Sequence, residues 1–573
     1  MVPREGRGGG LALFWKSSIN LTVVGSSKYY IHSVINKDSY NEWRLTGFYG
    51  ELETTRRTEA WDQLRYLNSQ SNTPWLCTGD FNEIIRQDEK VGGGIRPHNQ
   101  MQLSNPGCNE IVEAVWHSSN TIESSEGILQ RVEKCGRDLS WWNRNVFGNV
   151  WSELDKLRNL LLKAEGVAVL SGDNTRVRQL KKDIEVLRDR EATMWAQRSR
   201  LLWARQGDKN LKYFHSCATK RYRKNLIEGI RDGDGNWNVH PEDIAQVFVS
   251  YFNTLFFSSR HNGFARVLEL VPNVVTEEMN TSLSRAFDAS EVQVNLQQMA
   301  PLKAPGPNGM PPLFYQHFWG SINHDVTSSI LIWLNSGTLP TPLNHTFITL
   351  ILETNSPEHV HQYRPITLCN VLYKIFSKVL ANRLKKILPL IISEHQSAFT
   401  KDRLISDNIM VAFETLHCLQ RYNFGSHGYM ANKLDMSKAY DRVQWSFQEG
   451  IMRKMGFNEG WIKLIMVCVS TVTYSVLVNG EPSRLIHPTK GIRQGDPLSP
   501  FLFLLCMEGL NRMIKKAEMD GDIQGFSLCR RGLKLTHLLS ADDCLLFCRA
   551  TMEECGKVLD ILNDYEEASG KKK

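Results

Sequence analysis

The stretch Leu535-Thr-His-Leu-Leu-Ser-Ala-Asp-Asp-Cys-Leu-Leu-Phe547 decides the fold, because two adjacent acids interrupt an otherwise apolar run. Its apolar flanks, 535–539 and 544–547, predict the arms of a β-hairpin with Asp542 and Asp543 at the tip. Burying like charges together is costly unless a cation neutralises them, so these acids indicate a bound metal, and carboxylate oxygens suit Mg²⁺. An Asp-Asp pair is also common in a plain hairpin turn, so the pair needs support from elsewhere in the chain.

A third acid lies about a hundred residues upstream, in Lys-Leu-Asp-Met-Ser-Lys-Ala-Tyr-Asp-Arg-Val at 433–443. Residues 432–436 predict a short strand and Ser437 onward a helix, which leaves Asp435 at the exposed end of the strand. Three carboxylates from two strands can hold two ions about 4 Å apart, the arrangement by which nucleotidyl transfer activates a 3′-hydroxyl and holds the leaving pyrophosphate.

Between these acids lies Lys-Gly-Ile-Arg-Gln-Gly-Asp-Pro-Leu-Ser-Pro at 490–500, followed by the apolar run 501–505. The pattern predicts a flexible loop that opens a buried helix with proline near its start. The loop backbone and Gln494 could approach a nucleotide. Taken alone, the segment is better read as a plain turn.

A second distinctive region mixes cations with aromatic rings. It carries nine basic residues, interleaved with the rings of Trp203, Tyr213, Phe214 and Tyr222: Arg198, Arg200, Arg205, Lys209, Lys212, Lys220, Arg221, Arg223 and Lys224. Base stacking and phosphate neutralisation use this mixture. A solvated helix face is the alternative. Upstream, an apolar stripe over 150–203 predicts a helical hairpin that turns near 171–174.

Composition sets wider bounds. A net charge of +7 over 573 residues indicates local basic patches rather than a uniformly cationic protein. The 12 cysteines are scattered and contain no Cys-x-x-Cys, so they indicate reduced thiols and not a zinc knuckle. The start of the chain lacks the apolar core of a signal peptide. The apolar stretch 461–478 is interrupted by Lys463 and predicts a helix and a strand rather than a membrane span.

In this order, the segments resemble the reverse transcriptases of LINE-type (non-LTR) retrotransposons. Residues 433–443 resemble the first catalytic motif, 491–500 the template and nucleotide loop, and 541–543 the metal hairpin. The segments Lys303-Ala-Pro-Gly-Pro-Asn-Gly309 and Tyr363-Arg-Pro-Ile366 resemble finger motifs. Gln396-Ser-Ala-Phe399, with Arg403, resembles the segment before the palm. The resemblance covers roughly residues 301–570.

The resemblance implies a role for several residues. Asp435 and Asp542 would hold both Mg²⁺ ions, with Mn²⁺ as the alternative metal, and Asp543 would assist. Arg364 would contact the incoming triphosphate, and Gln494 and Gly495 would line the nucleotide and template side of the pocket. Tyr440 lies five residues after Asp435, where the family places a ring that blocks a 2′-hydroxyl; a core aromatic is the alternative reading.

The upstream parts resemble other portions of such elements. Residues 198–225 resemble the connector before the polymerase, and 45–57 with 75–94 resemble an endonuclease of the exonuclease-endonuclease-phosphatase class. There Asp80 and Asn82 would supply active-site groups, and Tyr49 a third. The Asn, metal-binding Glu and Ser-Asp-His motif of that class are missing, so we expect a vestigial fragment and no DNA cleavage.

We therefore predict an α+β protein: a truncated α/β endonuclease-sandwich fragment at 1–100, a helical basic connector at 101–275, and reverse transcriptase fingers and palm at 276–573. The final palm strand and the thumb are expected to be missing, and Ser540 stands where the family has Phe or Tyr. The expected partners are an RNA template, a DNA primer and deoxynucleoside triphosphates, with no membrane and no evident protein partner. The expected compartment is intracellular, nucleus and cytoplasm.

Two functions of different class stay open for this chain. One is RNA-directed DNA polymerase activity, copying element RNA from a DNA primer. The other is a catalytically decayed remnant that at most binds nucleic acid.

Overall fold

The computed structural model describes residues 19–49, 57–71, 73–80, 106–117, 127–143, 150–199, 211–258, 263–421, 428–527 and 534–570, with residues 13, 15 and 145 individually. Contacts within the chain divide it into two units, residues 1–97 and 98–573. The division into three domains stays a prediction. No helix in the described ranges is both long enough and apolar enough to span a membrane.

The first unit contains a four-stranded sheet in the order β1-β2-β3-β4. Its elements are β1 (Leu21–Ser26), β2 (Tyr30–Ile35), β3 (Trp43–Tyr49), α1 (Arg57–Ser69) and β4 (Trp75–Asp80). The first three strands are antiparallel, whereas β3 and β4 are parallel and are connected through α1. Tyr29, Phe48 and Leu64 form a small apolar core between sheet and helix. The short strands expected here are confirmed, while their assignment to an endonuclease stays a prediction.

Within the described ranges, the second unit begins with five helices: α2 (Pro106–His117), α3 (Gly127–Trp142), α4 (Val150–Ser171), α5 (Thr175–Ser199) and α6 (Leu211–Asn225). The predicted helical hairpin is confirmed, because α4 and α5 are joined by residues 172–174, with Gly172 at φ +72°. On α5 the three- and four-residue spacing places Val177, Leu180 and Ile184 on one buried stripe.

A short hairpin and six helices follow. They are β5 (Ile230–Arg231), β6 (Trp237–Asn238), α7 (Pro241–Phe256), α8 (Ala265–Glu269), α9 (Glu277–Ser284), α10 (Ala289–Gln297), α11 (Pro312–His317) and α12 (Trp319–Ser336). Local capping explains their starts. Thr276 accepts from Met279 N before α9, and Asp288 forms a reciprocal capping box with Glu291 before α10.

Two sheets carry the rest of the unit. One has the order β11-β10-β7-β8, and the other has the order β14-β15-β9. The first is built from β7 (His345–Leu352), β8 (Tyr363–Cys369), β10 (Thr473–Val478) and β11 (Glu481–Pro482). The second is built from β9 (Tyr429–Asp435), β14 (His537–Ser540) and β15 (Asp543–Arg549). A small hairpin pairs β12 (Phe526–Ser527) with β13 (Lys534–Leu535).

Helices surround these sheets: α13 (Val371–Ile391), α14 (Ile405–Arg421), α15 (Trp445–Met455), α16 (Glu459–Ser470), α17 (Ser499–Asp520) and α18 (Met552–Ser569). The core is densest around α13 and α17, which are buried on most of their surface. A helix that is apolar almost all round must lie inside. The prediction that the loop at 490–500 opens a buried helix is therefore confirmed, with Pro500 in its first turn.

Two predictions at the level of elements have definite outcomes. Residues 461–478 form most of α16 and then β10, as expected for a helix followed by a strand. The helix expected from Ser437 onward is wrong, because residues 438–442 form turns and α15 begins only at Trp445. Lys438 takes φ +50°, and Asp441 N donates to Lys438 O, which closes a tight turn where the helix was expected.

Candidate active site

The strand register brings the predicted acids together. β9 ends at Asp435 and β15 begins at Asp543, and the two residues face each other across the antiparallel pair. Directly opposed residues have β-carbons about 5 Å apart, which allows both carboxylates to reach one ion. Asp542 precedes Asp543 in the two-residue turn between β14 and β15. The predicted positions are therefore confirmed: Asp435 lies at a strand end, and Asp542 and Asp543 lie at the tip of a hairpin.

The three acids differ in exposure: Asp435 and Asp543 are exposed, whereas Asp542 is half-buried. Lys433 Nζ lies 3.3 Å from Asp543 Oδ1. Among the described residues, no three acidic, histidine or cysteine side chains converge on one point as they stand. Hard carboxylate oxygens suit Mg²⁺ in kind. A cation shared with Asp435 would compete with Lys433 for the Asp543 carboxylate.

The ring of Tyr440 packs beside the acids. It stacks on Phe503 of α17, with ring centroids 4.8 Å apart and planes 9° apart. Burial, and to a smaller degree the charge of Asp542, raises the pKa of the Tyr440 hydroxyl above its ordinary value. The ring is half-buried and packs against the main core.

The loop 491–496 lies between β8 and the turn at residues 438–442, which contains Tyr440 and is called the tyrosine turn below. Gln494 O accepts from both the backbone N and the Oγ1 of Thr367, at 2.9 Å and 3.0 Å. Gly491 takes φ +94°, and a β-carbon there would lie 2.7 Å from a backbone oxygen of the tyrosine turn. Gln494 is half-buried and Gly495 exposed, whereas both neighbours of this pair are buried. The predicted pocket residues thus form the protruding tip of an anchored loop.

The anchors of that tip are Arg493 and Asp496, which sequence reasoning did not single out. Each side chain is 3% exposed, and Arg493 Nη2 lies 3.1 Å from Asp496 Oδ2. Tyr373 of α13 donates to Asp496 Oδ2 at 2.6 Å and also accepts from Arg493. Arg493 donates to Asn344 and to Cys468 O as well, so four parts of the fold meet at one guanidinium. A buried arginine of this kind gives no apolar or spacing signal in the sequence.

Arg364 lies on β8, three residues before the strand position that holds the loop. Its Nε donates to Glu353 Oε1 at 3.2 Å, and its side chain is 57% exposed. Lys438 donates to the backbone oxygens of His361 and Tyr363, at 3.2 Å and 3.1 Å. The structure therefore ties the strand that carries Arg364 to the turn that follows Asp435.

Asp441 is a buried acid next to this site. It is 6% exposed, and burial raises its pKa to about 7, although Lys438 and Arg442 oppose that shift. Sequence reasoning named only its neighbour Tyr440. Gly491 packs against the backbone of Asp441 from 50 positions away in the chain, so no local pattern shows its environment.

The predicted nucleic-acid-binding cations are described only in part. Lys220, Arg221, Arg223 and Lys224 are exposed on the last turns of α6, next to the exposed ring of Tyr222. The remaining five lie outside the described side chains: Arg198, Arg200, Arg205, Lys209 and Lys212. The exposed cluster on one helix end is the geometry that a phosphate backbone can reach.

The predicted vestigial endonuclease residues lie in the first unit. Tyr49 ends β3 and Asp80 ends β4, and the parallel register sets these two positions side by side. Asn82 lies outside the described residues. The strand ends converge as expected for an α/β site, while the role of the residues stays a prediction.

Known proteins resemble the part of the chain that holds this site. Residues 354–572 match the family model described as reverse transcriptase (RNA-dependent DNA polymerase). The chain is 24% identical over 465 residues to the transposon TX1 uncharacterized 149 kDa protein of Xenopus laevis. This alignment covers 76% of this chain and 35% of that protein.

Two further relatives are retrovirus-related Pol polyproteins. The chain is 28% identical over 218 residues to that of the type-1 retrotransposable element R2 of Popillia japonica, with 38% of this chain and 29% of that protein covered. It is 27% identical over 277 residues to that of the type-2 element R2DM of Drosophila melanogaster, with 48% and 25% covered. The chain thus spans about a third or less of the length of these relatives.

Proposed function

We propose that this chain, which carries the reverse transcriptase domain of a LINE-type, non-LTR retrotransposon, is an RNA-directed DNA polymerase that extends a DNA primer on element RNA. The observation that carries the proposal is the register of the acidic strands. It sets Asp435 opposite Asp543, with Asp542 in the adjoining turn. Polymerisation of nucleotides needs carboxylates that share metal ions, and this set offers them beside an aromatic ring and an anchored loop.

Asp435 and Asp542 would hold two Mg²⁺ ions, and Asp543 would assist. When bound, the ions activate the primer 3′-hydroxyl and neutralise the triphosphate. Arg364 would bind the triphosphate by leaving its exposed pair with Glu353. Exposed ion pairs contribute only about 0–1 kcal/mol, so this exchange costs little.

Tyr440 would select deoxynucleotides by occupying the space of a ribose 2′-hydroxyl. Stacking on Phe503 fixes the ring plane, so the side chain cannot swing away without leaving the core. The tip of the loop, Gln494 and Gly495, would line the other side of the nucleotide. The hydrogen bonds from Thr367 keep that tip against β8, the strand that also carries Arg364.

The basic end of α6 would bind the RNA–DNA substrate. Its four exposed cations lie on a single helix beside an exposed tyrosine ring, which suits phosphate neutralisation and base stacking. We infer that this polymerase acts in the nucleus, where element RNA meets chromosomal DNA. The protein itself would be synthesised in the cytoplasm.

The test is primer extension on an RNA template with Mg²⁺ and deoxynucleotides. We compare the parent chain with Asp542→Asn and with Asp435→Asn, which keep size and hydrogen bonding but remove the metal-binding charge. We expect extension by the parent and a loss of about a thousandfold or more in each variant, because metal ions supply most of the charge stabilisation in this reaction. Equal extension by parent and variants would refute the proposal.

A second candidate function is nucleic-acid binding without catalysis. The observation that favours it is the group of exposed cations on α6, which does not depend on the acids. It predicts tight, salt-dependent binding of primer–template but no extension. The test replaces four cations of α6 with glutamine: Lys220, Arg221, Arg223 and Lys224. The control replaces four exposed cations of α5 with the same loss of charge: Arg176, Arg178, Lys181 and Lys182.

We expect only the α6 variant to lower the slope of log affinity against log salt, by roughly three units for four phosphate contacts. Equal slopes in the two variants would show that net charge, and not this helix, determines binding. Binding with no extension by the parent would leave this second function as the correct one.

A further inference from the structure

Residues 395–397, which precede α14, pair with β14 at the edge of the sheet that carries the acids, β14-β15-β9. Gln396 forms a parallel bridge with Leu539 of β14. Leu539 N donates to His395 O at 2.9 Å, and Ser397 N donates to Leu539 O at 3.1 Å. Asn408 donates to the same two carbonyl oxygens, at 3.1 Å and 2.9 Å. The strand that leads into the acidic turn is thus held along its edge by residues 395–397.

The side chain of Gln396 reaches past this edge into the turn. It is 1% exposed, and its Oε1 accepts from Ala541 N at 3.0 Å and from Ala398 N at 3.0 Å. Two backbone donors converge on that atom, so it must be the amide oxygen and not the nitrogen. Its Nε2 has no hydrogen-bond partner among the described residues. A buried amide nitrogen without a partner costs stability, so stability alone does not account for this residue.

Ala541 is the residue that the amide oxygen holds, and it has a strained backbone. Its φ is +54°, a conformation that residues with a β-carbon seldom adopt. It directly precedes Asp542, so its φ and ψ set the direction in which the Asp542 carboxylate leaves the turn. Strained backbone at a functional site persists only where surrounding contacts hold it.

We propose that Gln396 is a positioning residue, whose buried amide oxygen holds Ala541 in the left-handed conformation and so aims Asp542 at the ion shared with Asp435. The inference rests on the proposed function, since it assigns Asp542 to the metal. Gln396 touches no reacting group, and it acts only through the backbone of Ala541.

A double-mutant cycle tests the inference. Gln396→Met keeps the length of the side chain but removes the acceptor. Ala541→Gly removes the β-carbon, so the left-handed conformation no longer needs the hydrogen bond. Asn408→Leu is the matched control, because it weakens the same strand edge without touching the turn.

The first readout is Mn²⁺ binding, measured from the electron paramagnetic resonance of the free ion, with Asp542→Asn as the reference for a lost ligand. The second is kcat and KM for deoxynucleotide in primer extension. Gln396→Met should weaken Mn²⁺ binding several-fold and lower kcat by about tenfold or more, since misplacement of a reacting group by about 1 Å can cost a hundredfold. The KM for deoxynucleotide should stay within about threefold of the parent, because nucleotide contacts are unchanged.

In the Ala541→Gly background, Gln396→Met should reduce Mn²⁺ affinity and kcat by a factor at least about threefold smaller than in the parent background. Asn408→Leu should lower the melting temperature but leave Mn²⁺ binding unchanged. The inference is overturned if Gln396→Met and Asn408→Leu change Mn²⁺ binding equally, or if the loss is the same size in both backgrounds. If the parent binds Mn²⁺ at Asp542 but extends no primer, the proposed function fails, while the Mn²⁺ cycle still decides the role of Gln396.

Discussion

Replacement of Asp441 by asparagine should stabilise the protein above neutral pH and leave it nearly unchanged in acid. Burial is the cause. The side chain is 6% exposed, and its pKa rises from 3.8 to about 7, although Lys438 and Arg442 oppose the shift. The folded protein therefore keeps a proton on Asp441 at pH values where the unfolded chain has released it.

The sign and size follow from proton linkage. Between about pH 4 and pH 7 the folded state binds more protons at this site than the unfolded state, so stability falls as pH rises. Each pKa unit is worth about 1.4 kcal/mol, and the shift from 3.8 to about 7 gives a penalty of roughly 4 kcal/mol above pH 7. Below about pH 4 both states are protonated at Asp441 and the penalty vanishes.

Asp441→Asn removes the titration while keeping the side-chain shape. Its gain in unfolding free energy over the parent should grow by about 1.4 kcal/mol per pH unit from pH 4 and level off near pH 7. Urea unfolding followed by tryptophan fluorescence, at several values between about pH 5 and pH 8.5, measures this difference. Asp234→Asn, the same change in an exposed turn, is the control and should show no such growth. A difference between Asp441→Asn and the parent that does not change with pH would refute the reasoning.

Three further predictions concern the site. Asp542→Asn should lose primer extension yet melt no lower than the parent without Mg²⁺, because it removes one of three neighbouring negative charges; a clear drop in melting temperature would contradict this. Arg493→Met should lower the unfolding free energy by about 3–5 kcal/mol in urea titration, because it leaves Asp496 buried and unpaired; a loss under about 1 kcal/mol would contradict the buried pair. Gly491→Ala should destabilise by more than Gly480→Ala, since both glycines have positive φ but only Gly491 would place a β-carbon 2.7 Å from a backbone oxygen; equal melting temperatures would contradict the clash.

The sequence predicted the acids of the site because their surroundings are local. Asp435 ends an apolar strand, and Asp542 and Asp543 interrupt an apolar hairpin. The spacing of apolar residues and the polar residues between them are therefore enough to predict where the acids lie. The resemblance to LINE-type reverse transcriptases, which rested on these motifs, is confirmed for the polymerase part. The α+β class is confirmed as a mixed helical and sheet architecture, while the fingers, palm and endonuclease sandwich stay predictions.

The residues that hold the acids in place could not be predicted in the same way. Gln396 lies 145 positions from Ala541, and Arg493 lies 120 positions from Tyr373. Both are polar residues whose burial depends on packing between distant elements, and hydropathy marks such residues as surface. The helix expected from Ser437 onward failed for a related reason, since Lys438 donates through Nζ to the carbonyl oxygens of His361 and Tyr363, which lie 77 and 75 positions away in the chain.

Backbone strain and negative charge occur together at the acidic site. Lys438, three residues after Asp435, and Ala541, one residue before Asp542, both take positive φ. Each is held by a hydrogen bond from outside its own turn, one through Lys438 Nζ and one through the amide oxygen of Gln396. Ala439, next to Lys438, is buried in the core, so packing supports the first turn, whereas Ala541 is only half-buried and the neighbouring acids repel one another. A fold selected only for stability would relax the turn at Ala541, so its retention argues that the surrounding contacts maintain the direction of the Asp542 carboxylate.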